Sequence, residues 1–278
     1  MIEELMILAN EQVAGYLADH RLPTLYRVHE RPDPRSVVNL IERLASLGVP
    51  TPPVPDSLNP QQAADLAAEA SRITAAYVRS SGRGRRAFGP LVLRALKQAY
   101  YSPRNLGHAG LASPRYCHFT SPIRRYPDLV AHRALLQGLG IDHAAVPPHE
   151  LDEAGVLSSA AERAAMETER DADDVCLAFL LERVLSETDR AVPPVFQGEI
   201  VSVISGGAFV SFGDEGFEGF LAARRLRDWW QLNEEETALV AEASGGELRL
   251  GDPIEVLVER VDAPRGRVDL VPAAPSYS

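Results

Sequence analysis

The eleven residues HFTSPIRRYPD at positions 118–128 hold side chains suited to binding an anion. Thr120 and Ser121 stand just before a proline, an order typical of a helix N-cap with proline in the first turn. The free N–H groups at a helix N-terminus bind phosphate, and Arg124 and Arg125 would lie in that first turn. Arginines there oppose the helix dipole, which a bound anion would compensate. The alternative is that they pair with the aspartate of the motif or with acids of the next helix.

A second pattern, Asp171, Asp173 and Asp174, has the composition of a magnesium site. It lies within a segment with helical periodicity, where residues 171 and 174 share a face and residue 173 points about 100° away. We therefore expect no metal site there. The alternative, a magnesium enzyme built on these three carboxylates, would require them to converge. The histidines show no H-x-H or H-E-x-x-H spacing, and we assign none of them to a metal.

Charge is distributed unevenly along the chain. Residues 72–133, here called the basic segment, contain twelve Lys and Arg and one acid, although the whole chain has a net charge of −11. Eleven of the twelve are arginines, whose planar guanidinium suits bidentate phosphate contact and base stacking. The segment therefore predicts a surface that holds nucleic acid phosphates. The alternative is a basic stretch neutralised by acidic segments that fold against it.

Length and composition place the chain among globular proteins. Its 278 residues are 45% hydrophobic and 24% charged, which argues against disorder, collagen and coiled-coil rods. No apolar run reaches the roughly 18 residues of a membrane span, and the acidic N-terminus is unlike a secretory signal. We expect a cytoplasmic protein with no membrane partner. Cys117 and Cys176 are expected to be reduced. Two cysteines cannot form a disulfide framework for a chain of this size, and they lack the spacing of metal ligands.

The periodicity predicts an α+β protein in two parts. The first part is rich in helix and opens with an amphipathic helix over residues 2–18, with Ile2 and Leu5 on its core face. A helix with Asp33 as N-cap ends before Gly48, and a long helix follows at about 148–186. After Ala191–Pro194 the period changes to short strands, about five in number, for which a small closed barrel is the economical arrangement.

Five strings of the first part resemble the C-terminal portion of the catalytic domain of the ribonuclease II and ribonuclease R family, which degrades RNA from its 3′ end. They are IEELMILANEQVA, LYRVHERPDP, GHAGLA, YCHFTSPIRRYPDLVAHR and ETERDAD. Residues 195–271 resemble the S1 RNA-binding domain, an OB-fold barrel, through GEIVSVISGGAFVSFGDEGFEGFL and LRLGDPIEVLVERVDAPRGRVDLV. We therefore expect residues 1–192 to be the RNB part and residues 193–278 to be the S1 domain.

The resemblance implies roles for individual residues. Arg124 aligns with the family arginine that contacts the scissile phosphate and offsets charge during hydrolysis. Glu4 matches a glutamate close to the family's active site; its alternative role is that of an acid favoured at a helix start. Glu169 aligns with a glutamate that bears on the terminal bases of the RNA, and its alternative is a solvated helix face. Arg125 and Tyr126 are expected to shape the turn.

The remaining candidates for RNA contact come from three regions. The expected RNA-binding residues are Arg125, Tyr126, His118, Glu169, Phe209, Phe220, Arg83, Arg85 and Arg86. Phe209 stands where the S1 pattern places a base-stacking aromatic, with Phe220 near the same face. The alternative for Phe209 is a place in the barrel core. The S1 pattern is incomplete, since its usual histidine after the third strand is Ala222.

The resemblance predicts a hydrolytic 3′-to-5′ exoribonuclease that acts on single-stranded RNA, uses two magnesium ions and releases nucleoside 5′-monophosphates. The family's aspartate cluster lies upstream of the helix that begins this sequence, and no residue here matches it. We therefore expect the chain to lack the N-terminal half of the catalytic domain and to be inactive alone. The alternative is a non-catalytic RNA-binding module derived from that family.

Overall fold

The computed structural model of the chain describes residues 1–141, 146–188 and 193–273. It contains two compact units, and each unit combines separate stretches of chain. The first unit contains Met1–Arg31 and Lys97–Glu167, and the second contains Pro32–Leu96 with the described residues from Thr168 onward. The basic segment is thus divided between the two units at residues 96 and 97.

Helices dominate the chain up to residue 186, and strands follow. The helices are α1 (Ile2–Asp19), α2 (Pro34–Ser46), α3 (Pro60–Ser81), α4 (Phe88–Arg94), α5 (Tyr126–Gly138) and α6 (Leu151–Ser186). The strands are β1 (Tyr26–Val28), β2 (Tyr100–Ser102), β3 (Phe196–Ile204), β4 (Gly207–Phe212), β5 (Phe217–Ala222), β6 (Trp230–Leu232), β7 (Ala238–Ala241), β8 (Glu247–Arg249), β9 (Pro253–Asp262) and β10 (Arg267–Pro272). The predicted α+β class is confirmed.

In the first unit, α1, α5 and the antiparallel pair β1–β2 enclose a small apolar core. Helix α1 buries Ala14 and Leu17 near its C-terminal end. Ile2 and Leu5 were expected on the core face, but they are 72% and 60% exposed. The prediction was wrong for this end of α1, because the described core of the unit lies against the C-terminal half of the helix.

The second unit contains the predicted five-stranded barrel. Its strand order is β10-β5-β4-β3-β9, and the parallel pair β5–β10 closes it. Ile200, Val210, Phe212 and Leu270 fill the interior, and Leu181 of α6 joins the same cluster. The charged insertion forms a three-stranded antiparallel sheet, β6–β7–β8, which the sequence did not predict. The barrel itself confirms the OB-type prediction.

Helices α2, α3 and α4 belong to the second unit. Asp33 caps α2 by accepting the backbone N–H of Arg35 at 2.8 Å, and Gly48 follows the helix at a φ of +73°, as predicted. The helices share an apolar cluster that contains Phe88 and also Leu250, which follows β8. These helices therefore pack with the chain segment that leads into the barrel strand β9.

The predicted boundary at Ala191–Pro194 lies partly outside the described residues, and the domain limits at residues 192 and 193 stay a prediction. In the described part of the chain, no helix combines the length and apolarity needed to cross a membrane.

Candidate nucleic-acid interface

Three of the sequence motifs come together in the first unit. The backbone N–H of Arg27 in β1 donates to the carbonyl of Tyr116 at 2.9 Å. One residue beyond β1, the N–H of His29 donates to the carbonyl of Gly107 at 3.1 Å, and the N–H of Ala109 donates back to the His29 carbonyl at 2.7 Å. The LYRVHE strand therefore holds the GHAGLA loop and the start of the YCHFTSPIRRYPD segment beside it.

The ring of His29 packs against Gly110 of the GHAGLA loop. Its Nδ1 lies 2.9 Å from the backbone N–H of Gly110, which donates to it, and its Nε2 lies 2.7 Å from the carbonyl of Lys97. A Cβ on Gly110 would stand 2.7 Å from that Nδ1, so a larger residue would displace the ring.

Burial, followed by the nearby His29 and Arg27, lowers the pKa of His108 to about 4.

Asn10 is a site residue that sequence reasoning missed. It lies in α1, is 3% exposed, and donates through Nδ2 to the Tyr116 hydroxyl at 2.9 Å. Its Oδ1 accepts the backbone N–H of Phe119 at 3.0 Å. A polar side chain on the buried face of a helix was the available signal. Asn10 thereby fixes the chain on either side of His118.

The turn before α5 is built differently from the prediction. Helix α5 begins at Tyr126, and its N-cap is Arg125 without a side-chain cap. The expected capping by Thr120 and Ser121 was wrong, and both arginines precede the helix. Pro127 gives the reason, because a helix begun at residue 121 would place this proline in the helix interior, at a cost of about 3 kcal/mol.

Asp128 holds that turn in place through its carboxylate. Its carboxylate is fully buried and accepts the backbone N–H of Ser121 at 2.7 Å and Nη2 of Arg125 at 2.9 Å. The Nε of Arg125 lies 2.8 Å from the other carboxylate oxygen. Arg125 therefore shapes the turn, in agreement with its alternative role, and Tyr126 is the half-exposed first residue of α5.

Arg124 is exposed at the tip of this turn. Its backbone N–H donates to the carbonyl of Ser121 at 3.3 Å. Within the described part of the chain its guanidinium has no ion pair and no hydrogen bond. The neighbouring Ile123 is 97% exposed. Arg125 thus holds the turn through Asp128, and Arg124 is exposed to solvent.

His118 lies close to several of these cations. Burial, followed by the positive charges of Arg125, Arg27 and, more weakly, Arg124, lowers the pKa of His118 to about 3. The imidazole is therefore neutral at physiological pH. Its Nδ1 lies 2.8 Å from the Tyr101 hydroxyl.

The remaining predicted residues of the RNB part do not all lie in this unit. Glu4 is exposed in the first turn of α1, in the first unit. Glu169 is exposed on α6, in the second unit. Both positions are compatible with the predicted roles and with the alternatives, so these roles stay predictions.

The aspartates of α6 do not converge into a group of three ligands. Among the described residues, no three His, Cys, Asp or Glu side chains converge to hold a metal ion. Burial and the neighbouring Asp171 raise the pKa of Asp174, whose Cβ packs near Gly266. The magnesium ions that the family resemblance implies therefore do not fit the described residues of this chain.

In the barrel, Phe209 and Phe220 form one aromatic pair. They are directly opposite each other on β4 and β5, and their ring centroids lie 5.0 Å apart at an angle of 48°. Both rings are half-buried and lie outside the barrel core cluster. A Cβ on Gly207 would stand 2.2 Å from the carbonyl oxygen of Leu221 and 2.9 Å from Cζ of Phe220, so no larger residue fits beside this pair.

The three arginines of the GRGRR turn have different environments. Arg83 places Nε 2.5 Å from Oδ1 of Asp252, and its Nη1 donates to the carbonyl of Leu47 at 2.6 Å. Arg86 donates to the hydroxyl of Ser211 and to the carbonyl that follows β4, each at 2.8 Å. Arg85 is exposed. Arg83 thus matches the alternative in which the basic segment is neutralised by an acidic one, and Arg86 packs on the barrel. Arg85 has no ion pair or hydrogen bond among the described residues, and its contact with RNA stays a prediction.

Comparison with known proteins agrees with the motifs. Residues 1–140 match the RNB domain, and residues 193–271 match the S1 RNA binding domain. The chain belongs to the RNB family. The family resemblance inferred from the five strings and the S1 pattern is thereby confirmed.

Relatives of this RNB chain are longer. Ribonuclease R of Aquifex aeolicus is 38% identical over 274 residues, which cover 97% of this chain and 36% of that protein. Ribonuclease R of Thermotoga maritima is 32% identical over 271 residues, covering 98% of this chain and 37% of that protein. The apo form of Mycoplasma genitalium RNase R superposes with a TM-score of 0.79 at 27% identity, covering 98% of this chain and 41% of that one. The chain spans about a third of the length of these curated relatives.

Proposed function

We propose that this chain is the C-terminal part of a hydrolytic, magnesium-dependent 3′-to-5′ exoribonuclease that degrades single-stranded RNA to nucleoside 5′-monophosphates. One observation carries the proposal. In a chain of the RNB family, the turn before α5 exposes Arg124 while Asp128 and Arg125 hold the turn rigid. The Arg124 side chain on this turn is placed to bind a phosphodiester, because none of its donors is used by the described residues.

Arg124 acts on the charge that develops at phosphorus. As water attacks and the leaving 3′-oxygen departs, negative charge grows on the equatorial phosphate oxygens. A guanidinium at the phosphate stabilises this growing charge more than it stabilises the ground state. We therefore assign Arg124 mainly to the rate of the reaction and only partly to RNA affinity.

The other predicted residues bind the strand. Phe209 and Phe220 offer an aromatic surface on which RNA bases stack. Each stacked base contributes about 1–3 kcal/mol to the free energy of binding. Arg85 contributes a phosphate contact, Glu4 lies close to the reacting end, and Glu169 bears on the terminal bases. The Mycoplasma genitalium RNase R has been solved with ribose methylated single-stranded RNA and with double-stranded RNA. These complexes support RNA as the partner of this chain.

Magnesium chemistry is assigned to the complete enzyme. Because the described residues offer no group of three ligands for a metal ion, we assign the magnesium ligands to the part of the enzyme outside this chain. We propose that the 278-residue chain binds RNA and does not cleave it by itself. We also propose a cytoplasmic location.

The second candidate function is a non-catalytic RNA-binding module. The observation that favours it is the same lack of converging carboxylates in the described part of an otherwise RNB-like chain. The two functions are separated by the DNA sequence upstream of the Met1 codon. An in-frame, aspartate-rich coding stretch supports the exoribonuclease, whereas a stop codon and promoter support the module.

The role of Arg124 is tested by Arg124→Ala in the complete enzyme. We expect turnover on a labelled single-stranded RNA to fall by about 10²–10³-fold, as for loss of one charge-stabilising donor, with RNA affinity changed only a few-fold. Arg163→Ala is the matched control, since Arg163 is also exposed in the first unit but lies on α6. Unchanged turnover in Arg124→Ala refutes the role, and cleavage of RNA by the 278-residue chain alone refutes its inactivity.

A further inference from the structure

The buried Tyr101 and the half-buried His118 form a polar pair in the first unit. Tyr101 is 5% exposed, and its hydroxyl oxygen lies 2.8 Å from Nδ1 of His118. The two rings meet edge to face with centroids 5.6 Å apart. Among the described residues, His118 is the hydrogen-bond partner of this hydroxyl.

The pair has one satisfactory arrangement of protons. A buried phenol must donate its O–H, because a buried donor without an acceptor costs about 1–3 kcal/mol. Tyr101 therefore donates to Nδ1 of His118, which must be unprotonated in order to accept. The neutral imidazole then carries its proton on Nε2. The described residues supply no partner for Nε2, and this atom is not buried.

Tyr101 is itself held on several sides. Its backbone N–H donates to the Ser159 hydroxyl at 2.9 Å, and that hydroxyl donates to a carbonyl of α6 at 2.7 Å. The guanidinium of Arg27 lies 4.8 Å above the Tyr101 ring and pairs with Glu162 at 2.5 Å. The hydroxyl therefore has little freedom to leave Nδ1 of His118.

We infer that Tyr101 is a positioning residue that fixes His118 as a neutral Nε2–H donor to a non-bridging phosphate oxygen of single-stranded RNA near Arg124. This inference rests on the proposed function and deepens it. Asn10 binds the backbone N–H of Phe119 on one side of His118 and the side-chain hydroxyl of Tyr116 on the other, which helps to fix the direction of the donor. Arg124 supplies charge to the phosphate, whereas His118 supplies a directed hydrogen bond without charge.

The first test measures the tautomer of His118 without RNA. Nitrogen-15 NMR of the 278-residue chain at pH 7 is expected to show His118 with a protonated Nε2 and an unprotonated Nδ1. Tyr101→Phe removes the O–H donor and keeps the ring, and we expect it to give a mixture of the two tautomers. A wild-type spectrum with Nδ1 protonated overturns the inference.

The second test measures binding to a single-stranded RNA oligonucleotide as a function of salt. We expect His118→Ala to lower affinity by about three- to tenfold, the effect of one hydrogen bond, with an unchanged salt slope. Tyr101→Phe should lower affinity by about two- to threefold, because part of its His118 population keeps the Nε2–H donor. Arg124→Ala is expected to reduce the slope of log K against log salt by about 0.7, because it removes one phosphate contact. His118→Gln, which keeps an N–H donor, is expected to restore part of the affinity.

The control is Tyr100→Phe on the opposite face of the same strand. The Tyr100 hydroxyl donates to Glu30 at 2.7 Å, so the variant also removes one hydrogen-bonded hydroxyl. We expect neither the His118 tautomer nor the RNA affinity to change. If wild-type chain does not bind RNA, the proposed function fails. If it binds RNA and Tyr101→Phe changes the tautomer without changing affinity, only the present inference fails.

Discussion

Arg83 and Arg85 lie two residues apart in the same basic turn, and the structure predicts opposite consequences for their removal. Arg83 pairs with Asp252, donates to the carbonyls of Leu47 and Leu250, and lies 5.5 Å from the Phe88 ring centroid. Arg85 is exposed. Arg83→Ala should therefore destabilise the second unit, whereas Arg85→Ala should weaken RNA binding.

The size of the effect follows from burial. The side chains of Arg83 and Asp252 are 18% and 31% exposed. Removing one partner of a fully buried ion pair costs about 3–5 kcal/mol, and partial exposure reduces this cost. Two backbone carbonyls also lose a charged donor. We expect Arg83→Ala to lower the free energy of unfolding by about 2–4 kcal/mol, and Arg85→Ala to change it by less than about 0.5 kcal/mol.

Urea denaturation followed by tryptophan fluorescence measures this difference. Both tryptophans of the chain, Trp229 and Trp230, lie in the second unit, so their emission reports on its unfolding. RNA affinity is measured in parallel, well below the transition. We expect Arg85→Ala to reduce the salt slope by about 0.7 and Arg83→Ala to leave it unchanged. An unchanged urea midpoint for Arg83→Ala would refute the packing role of this arginine.

Three further predictions concern strain, acid stability and stacking. Gly266→Ala should destabilise the chain by about 1–3 kcal/mol in urea, because Gly266 has a φ of +61° and a Cβ there would stand 2.9 Å from Cβ of Asp174. Gly245→Ala, at a φ of +68° in open space, should cost less, and equal losses would contradict the steric argument. Since the folded pKa of His108 is about 4, below the unfolded value of about 6.5, His108 should contribute about 1–2 kcal/mol to the stability lost between pH 6.5 and pH 5, beside a similar contribution from His118. His108→Gln should flatten that slope in thermal melts, and a slope unchanged by the substitution would contradict this cause. Phe220→Ala should weaken RNA binding about tenfold in a titration, and unchanged affinity would remove Phe220 from the stacking surface.

Local sequence signals predicted most of the elements. Asp33 with the following proline gave the start of α2, and Gly48 gave its end, because capping depends on residues a few positions apart. The change from helical to alternating periodicity predicted the barrel. The three-stranded sheet of the insertion was missed, since its strands of three or four residues are too short to show a period.

The candidate site was predicted in its residues and only partly in its geometry. The motif around Arg124 was recognised, but Pro127 moved the helix start and turned Asp128 into the residue that holds the turn. The environments of Arg83 and Asn10 depend on partners more than 100 residues away in the sequence, which no local pattern reveals. A count of charges likewise treated all arginines of the basic segment as equal.

The packing of α2–α4 with the segment that carries Leu250 limits how the S1 domain can be exchanged. A sequence boundary near residue 193 suggests that the S1 domain could be exchanged as an independent unit. Leu250, however, belongs to the apolar cluster of α2, α3 and α4, which lie more than 150 residues earlier in the chain. Truncation before the barrel would leave that cluster open to water. Gene fusions that swap the S1 barrel for a foreign OB domain should therefore retain the Arg83 and Phe88 contacts if they are to yield a soluble product.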